Sequence, residues 1–237
     1  MTSSLVGSEM CIRDSWYAAH YDHAATNAYH TEYTVTASGV TLHTHVGIAA
    51  ICVQKFLDLD VTWTVANNGS VDLALHAQRN TVFPELPRFG LRLFLPQEMS
   101  QVNYYGMGPM ECYRDKHHAA SHSSYTATVW QLHEDYIRPQ ENGSHFDCDY
   151  VMLAGDAVRL TAVGTQPFSF NASHYTQEEL TRKAHNYELE PCGSTVLCLD
   201  YAQNGIGSES CGPRLLEQYR LDDATFNFGL RLFPEKK

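Results

Sequence analysis

Hydrophobic and polar residues alternate with a period of two along most of this chain. Leu57, Leu59, Val61, Trp63 and Val65 alternate with Asp58, Asp60, Thr62 and Thr64, which predicts a strand with the first set on a buried face. Asn67-Asn68-Gly69-Ser70 reads as a turn, and Val71, Leu73, Leu75 and Ala77 then resume the alternation, so the two runs form a hairpin. Shorter runs of the same kind lie at 33–37, 40–48, 91–95, 126–130, 147–153, 158–163, 195–199 and 225–233, separated by Gly, Pro and Asn. This spacing predicts an all-β fold, a large antiparallel β-sandwich. One segment departs from it. Thr176-Gln177-Glu178-Glu179 fits a capping box, and helix formers continue to about His185, so a single short helix is predicted there. Phe-Gly-Leu-Arg-Leu-Phe occurs at 89–94 and again at 228–233, which reads as two similar strands rather than as a repeat.

The chain has 237 residues, a length that one sandwich can use as a single unit. Aromatic residues make up 11% and charged residues 18%, which excludes a disordered chain. Sixteen Lys and Arg against 27 Asp and Glu give a net charge of −11. Duplex binding needs clustered cations, so nucleic acid is not an expected partner. No apolar run reaches the length of a spanning helix, so no membrane is expected either. Seven cysteines, an odd number without a Cys-x-x-Cys pair, read as reduced thiols of a cytoplasmic protein. Residues 1–15 lack both periodicities and the basic-then-apolar pattern of a secretory signal. The string Ser-Leu-Val-Gly-Ser-Glu-Met-Cys-Ile-Arg-Asp-Ser within them resembles translated sequencing-adapter DNA, so residues 1–15 are read as a non-native or disordered leader and the domain as 16–237. Sequons stand at Asn68, Asn142 and Asn171, two of them in Asn-Gly turn signals, and glycosylation is not expected.

Candidate chemistry is thin when residues are taken singly. His43 and His45 share one strand face at a spacing that suits a metal, but no third ligand is evident and solvated strand histidines are the simpler reading. His117, His118 and His122 fall in a polar connection between strands, read as a surface loop. Cys192 and Cys198 are too far apart for a zinc knuckle and read as core thiols. Glu111, Glu141, Asp200 and Glu209 lie in turn-like contexts from which a carboxylate could project. Spacing alone does not pair them for general acid/base work, so structural or surface roles are favoured. Three segments rich in Gly, Pro and polar residues, at 104–115, 136–143 and 203–213, are predicted to be loops of fixed shape that carry ligand contacts.

Those segments carry a resemblance. Leu86-Pro-Arg-Phe-Gly-Leu91, Gly106-Met-Gly-Pro-Met-Glu-Cys-Tyr-Arg-Asp115, Pro139-Gln-Glu-Asn-Gly143, Phe168-Ser-Phe-Asn-Ala-Ser-His-Tyr-Thr176 and Gly205-Ile-Gly-Ser-Glu-Ser-Cys-Gly-Pro213 resemble, in order, motifs of the C-terminal domain of family-2 β-galactosidases of the LacZ type. The resemblance runs from about Trp16 to Phe233. It implies a supersandwich of galactose mutarotase-like architecture, within an enzyme that hydrolyses terminal β-D-galactosides with retention. It also implies that both catalytic glutamates belong to a TIM-type barrel absent from this chain, so no catalytic residue is expected here. The chain reads as a C-terminal fragment, inactive alone, whose partners are a β-galactoside sugar and the barrel. A homo-oligomer is expected at full length, and the family's Mg and Na sites are expected outside this chain, leaving it without a cofactor. The loop 205–213 resembles the one that reaches the active site, which makes Ser208, Glu209, Ser210 and Cys211 the expected substrate-binding residues. Cys211 stands where many members present a Trp platform.

Two rival readings carry their own signatures. A mutarotase-like epimerase needs a carboxylate opposite a histidine in a concave sheet face. A non-catalytic carbohydrate-binding module needs an exposed aromatic stripe on one sheet face.

Overall fold

The computed structural model describes residues 15–205 and 215–237. Their strands are β1 (Ala25–Thr36), β2 (Gly39–Ala49), β3 (Leu57–Ala66), β4 (Val71–Arg79), β5 (Arg88–Pro96), β6 (Gln101–Gly108), β7 (Ser121–Thr128), β8 (Ser144–Ala154), β9 (Val158–Ser173), β10 (Ser194–Gln203) and β11 (Thr225–Lys236). All pairings among them are antiparallel, in the order β1-β2-β3-β4-β11-β9-β8-β6-β7, with β10 joining β9 to β5. The all-β, antiparallel expectation holds for the strand content and pairing.

The branch arises at β9. Residues 158–164 pair with β11, whereas residues 169–173 pair with β10. Between them the β8 ladder jumps from Val163 to Phe168, so 164–167 have no partner on β8 and form a bulge. Beyond the bulge the ladder folds back, and Leu91, Leu93, Leu197 and Leu199 of β5 and β10 pack against Leu73, Val61, Trp63, Phe228 and Leu230. A second cluster at the other end joins Trp16, Tyr21, Phe56, Leu57, Phe89 and Phe226. Two layers facing each other across apolar side chains are the predicted sandwich.

The hairpin β3–β4 has the register the alternation predicts, with Val61 opposite Leu75, Trp63 opposite Leu73 and Val65 opposite Val71. Burial fades along it. Leu57 is 1% exposed, Trp63 half-buried and Val65 41% exposed, because the hairpin's far end extends past the opposing layer. The repeated hexapeptide falls on β5 and β11, two similar strands as expected.

Three local expectations need correction. Residues 101–108, taken in large part as loop, form β6. Its inward positions are Val102, Tyr104, Gly106 and Gly108, and two glycines hide the period. Gly106 is required because a Cβ there would lie 2.3 Å from Cys148 Sγ. The helix α1 (Gln177–Arg182) ends sooner than predicted and is not the only helical segment, since residues 15–18 also form a helical turn. Thr176 accepts from Glu179 N–H at 3.1 Å as foreseen. The Glu179 carboxylate, however, turns to Glu190 N–H at 3.1 Å and to Arg182 and Lys183, so the box is half made. His122 belongs to β7 rather than to a loop.

Candidate functional site

Asp200 lies within β10, directly opposite Gly90 of β5, on the side of these strands that faces away from Leu91 and Leu199. A Cβ at position 90 would lie 2.4 Å from Asp200 Oδ1, so only glycine leaves room for this carboxylate. Arg88, two residues earlier on the same face, fills that room. Its Nε donates to Asp200 Oδ1 at 2.9 Å and its Nη2 to Asp200 Oδ2 at 2.6 Å, a bidentate pair. Nη1 donates to Glu141 Oε2 at 3.1 Å. Gln203 Nε2 adds contacts of 3.2 Å to Asp200 Oδ2 and to Ser144 Oγ. Arg88, Glu141 and Asp200 are each no more than 2% exposed.

Burial acts against the charge of each group. It would lower the Arg88 pKa, but Asp200 and Glu141 outweigh it and hold the guanidinium well above its usual range. For Glu141 burial prevails over the attraction of Arg88 and raises the carboxyl. Among the described residues its Oε1 meets no hydrogen-bond partner, nor do Gln203 Oε1 and Asn204 Nδ2. Three unpartnered buried polar atoms stand where β10 leads into residues 206–214.

The segment 110–120 packs against the same place. Asp115 lies so close to Gly205 that a Cβ there would come within 2.4 Å of its Oδ2. Glu111 accepts from Lys116 Nζ at 2.7 Å, from Gly143 N–H at 2.9 Å and from the Tyr136 hydroxyl. Burial pushes the Glu111 carboxyl up, but these donors more than offset it and leave it below the usual range. Glu111, Lys116, Tyr136, His118 and Asp115 line an open depression of about 470 Å³ next to Gly205. Leu215, at the far side of the loop, is buried, and its carbonyl accepts from Arg220 Nε at 3.0 Å and Nη2 at 2.8 Å. Asn204 is held by Pro87 O and Leu221 N–H. Asn204 and Leu215, which flank 206–214, are thus both anchored.

Ser208, Glu209, Ser210 and Cys211 lie outside the described residues, as do residues 1–14 of the leader. Glu141 and Asp200 are buried partners of one arginine rather than projecting groups. Cys198 is a core thiol, pushed up to about 12 by burial, whereas Cys192 is exposed and corrects the core expectation for it. Of the three sequon asparagines, Asn142 and Asn171 are buried and Asn68 is exposed. His43 and His45 do share a face but serve different partners. His43 Nδ1 is 3.1 Å from Thr62 Oγ1, and His45 sits 3.0 Å from both Asp58 and Asp60. Among the described residues no group of three or more His, Cys, Asp or Glu is disposed to hold a metal ion.

The rivals' signatures are only partly present. Asp60 does stand opposite His76 on the outer sheet face. Both are occupied, however: Asp60 Oδ1 by His45 Nδ1 at 3.0 Å, and His76 Nδ1 by Asn227 Oδ1 at 2.9 Å. The exposed tyrosines of β1 form no stripe. Tyr29, at the bulge, packs over Gly47 on the outer face, while Tyr33 lies opposite Leu42 on the other. Sequence reading missed Arg88, Gln203 and Asn204 as the organisers of this region. The available signal was the pair of cations, Arg88 and Arg92, in the apolar run from Leu86 to Leu95.

Comparison with known proteins agrees with the motifs. The family described as "Beta galactosidase small chain" matches residues 7–232. A β-galactosidase of Actinobacillus pleuropneumoniae is 42% identical over 97% of this chain, and one of Staphylococcus xylosus 37% over 93%. In both cases the match spans 22% of the relative's length. Among solved structures, galactose 1-epimerase from Lactobacillus acidophilus aligns over 87% of this chain and 66% of its own, at a TM-score of 0.44 and 10% identity. A galactose mutarotase-like protein from Lactobacillus casei aligns over 88% and 74%, at 0.37 and 15%. On its sequence matches, this chain belongs to the β-galactosidase small-chain family.

Proposed function

We propose that this chain is the C-terminal sandwich of a β-galactosidase, and that it completes a sugar pocket whose catalytic carboxylates lie elsewhere in the parent protein. The observation that supports this best is the state of its own carboxylates. Retaining hydrolysis needs two carboxyl groups about 5 Å apart with a glycosidic bond between them. Between Glu141 and Asp200 lies Arg88, and Glu111 is filled by Lys116, Tyr136 and Gly143. Neither Glu141 nor Asp200 has room for a sugar beside it, and the Glu111 oxygens, although they border the open depression, are already taken by donors.

The buried cluster then acts as a foundation. A bidentate Arg–carboxylate pair fixes the end of β10 and hence Gln203 to Gly205, while Arg220 fixes Leu215. The loop carrying Ser208, Glu209, Ser210 and Cys211 is in this reading presented to the galactoside from a rigid base, with the barrel as its other wall. The parent is read as a cytoplasmic homo-oligomer that holds its Mg and Na outside this chain.

The test is complementation. The 237-residue chain alone is expected to leave a chromogenic β-galactoside intact. Mixed with the Actinobacillus relative shortened by its matching region, it is expected to restore hydrolysis. Turnover by the chain alone, or no restoration by a folded chain, would overturn the proposal.

A further inference from the structure

The outer face of β2, β3, β4 and β11, opposite the core, carries two rows of directly paired residues. One row runs His45, Asp60, His76, Asn227 and the next runs His43, Thr62, Ala74, Gly229. Paired positions stand about 5 Å apart, so side chains along a row reach one another. In the second row the side chains shrink to a methyl group and then to nothing, which sinks the surface. Beside Gly229 the β9 bulge rises over it. Thr165 Oγ1 donates to Gly229 O at 3.2 Å and Gln166 Nε2 to Asn227 O at 3.0 Å. A Cβ at position 229 would lie 2.5 Å from Thr165 Oγ1, so the glycine is what lets the bulge sit there. The result is a cleft of about 370 Å³ with Ala74 and Gly229 as floor, the bulge as one wall and Asp60, Thr62 and His43 as the other. A flat solvated sheet face would have neither the floor nor the wall.

We infer that this cleft binds a neutral polyhydroxylated ligand of monosaccharide size. No Lys or Arg lines it, which leaves a phosphate or carboxylate ligand without a counter-charge. No three donors converge as metal ligands among the described residues. The rim is hydrogen-bonding throughout, which does not suit an apolar peptide. Its groups are mixed in kind, as a diol requires. Asn227 Oδ1 can only accept, so His76 carries its hydrogen on Nδ1 and offers Nε2 as an acceptor. Asp60 keeps its Oδ2 without a partner among the described residues, the Asn227 amide supplies N–H donors, and the Thr62 hydroxyl, which meets His43 Nδ1, can donate or accept. The volume falls within the range of small-molecule sites. The inference does not depend on the role proposed for residues 206–214.

NMR titration of the 237-residue chain with methyl β-D-galactopyranoside, following the His43, His76 and Gln166 side chains, tests the inference. Saturable shifts at these three are expected, with a dissociation constant of about 1–10 mM, typical of a dozen heavy atoms bound without an aromatic platform. Ala74→Phe, at an exposed position, fills the floor and is expected to abolish the shifts. Gln166→Ala lowers the wall and is expected to weaken binding about fivefold, a change readable even if the first variant folds poorly. No saturable shift at His43 and His76, or shifts that persist in a folded Ala74→Phe chain, would overturn the cleft. Shifts confined to Tyr113 and Gln203 would also overturn it while leaving the complementation reading intact.

Discussion

Replacing Arg88 by methionine gives the sharpest test of the buried cluster. The side chain is 1% exposed and is the only cation among the described residues that touches Asp200 or Glu141. Methionine keeps much of the volume and removes all the donors. Two carboxylates then remain in a dry site, one of them already raised by burial while Arg88 is present. Breaking a buried pair in this way costs about 3–5 kcal/mol, mostly as the penalty of unpaired charge. The penalty is relieved by protonation, and that fixes the sign of a second effect. In the variant the folded form takes up protons above pH 4.5, the ordinary carboxyl value, where the unfolded chain has released them. Stability of Arg88→Met relative to the parent should therefore be lowest at neutral pH and recover as pH falls toward about 5. Urea unfolding followed by tryptophan fluorescence and far-UV circular dichroism at about pH 7 and about pH 5 measures both. A loss below about 1 kcal/mol at neutral pH, or a difference that does not change between the two, would refute the reasoning.

Other consequences follow from single residues. His145 is held to about 4 from 6.5 by burial between Tyr104 and Phe170, so the unfolded chain binds its proton first. Between those values stability should fall with pH by about 3 kcal/mol in total, and His145→Gln should flatten that slope in acid titration. Trp63→Ala should cost only about 1–2 kcal/mol because the ring is half-buried, against about 3–5 kcal/mol for the fully buried Phe228→Ala, both by chemical denaturation. Thiol labelling of the folded chain should modify Cys52 and Cys192 rapidly, and Cys112, Cys148 and Cys198 only on unfolding.

The sequence by itself determined the strands and their pairing wherever one face is apolar and the other polar. Slipping β3 by one residue would turn Leu57, Leu59 and Trp63 outward, so the alternation alone specifies the hairpin register. It likewise determined the family, through five short motifs in order. It did not reveal β6, whose inward glycines have no side chains to show the period, nor the bulge in β9, where a strand changes partners. What a buried charge does was also beyond it. Glu141 and Asp200 lie 53 and 112 residues from Arg88 along the chain, and nothing in their local sequence pairs them with it. Only the packing of β5 on β10 beneath residues 136–146 removes water from all three and makes one arginine the partner of two carboxylates. The outer-face cleft has the same origin. Its floor is an absence of side chains and its wall comes from a strand not neighbouring in sequence, and neither leaves a mark on local periodicity.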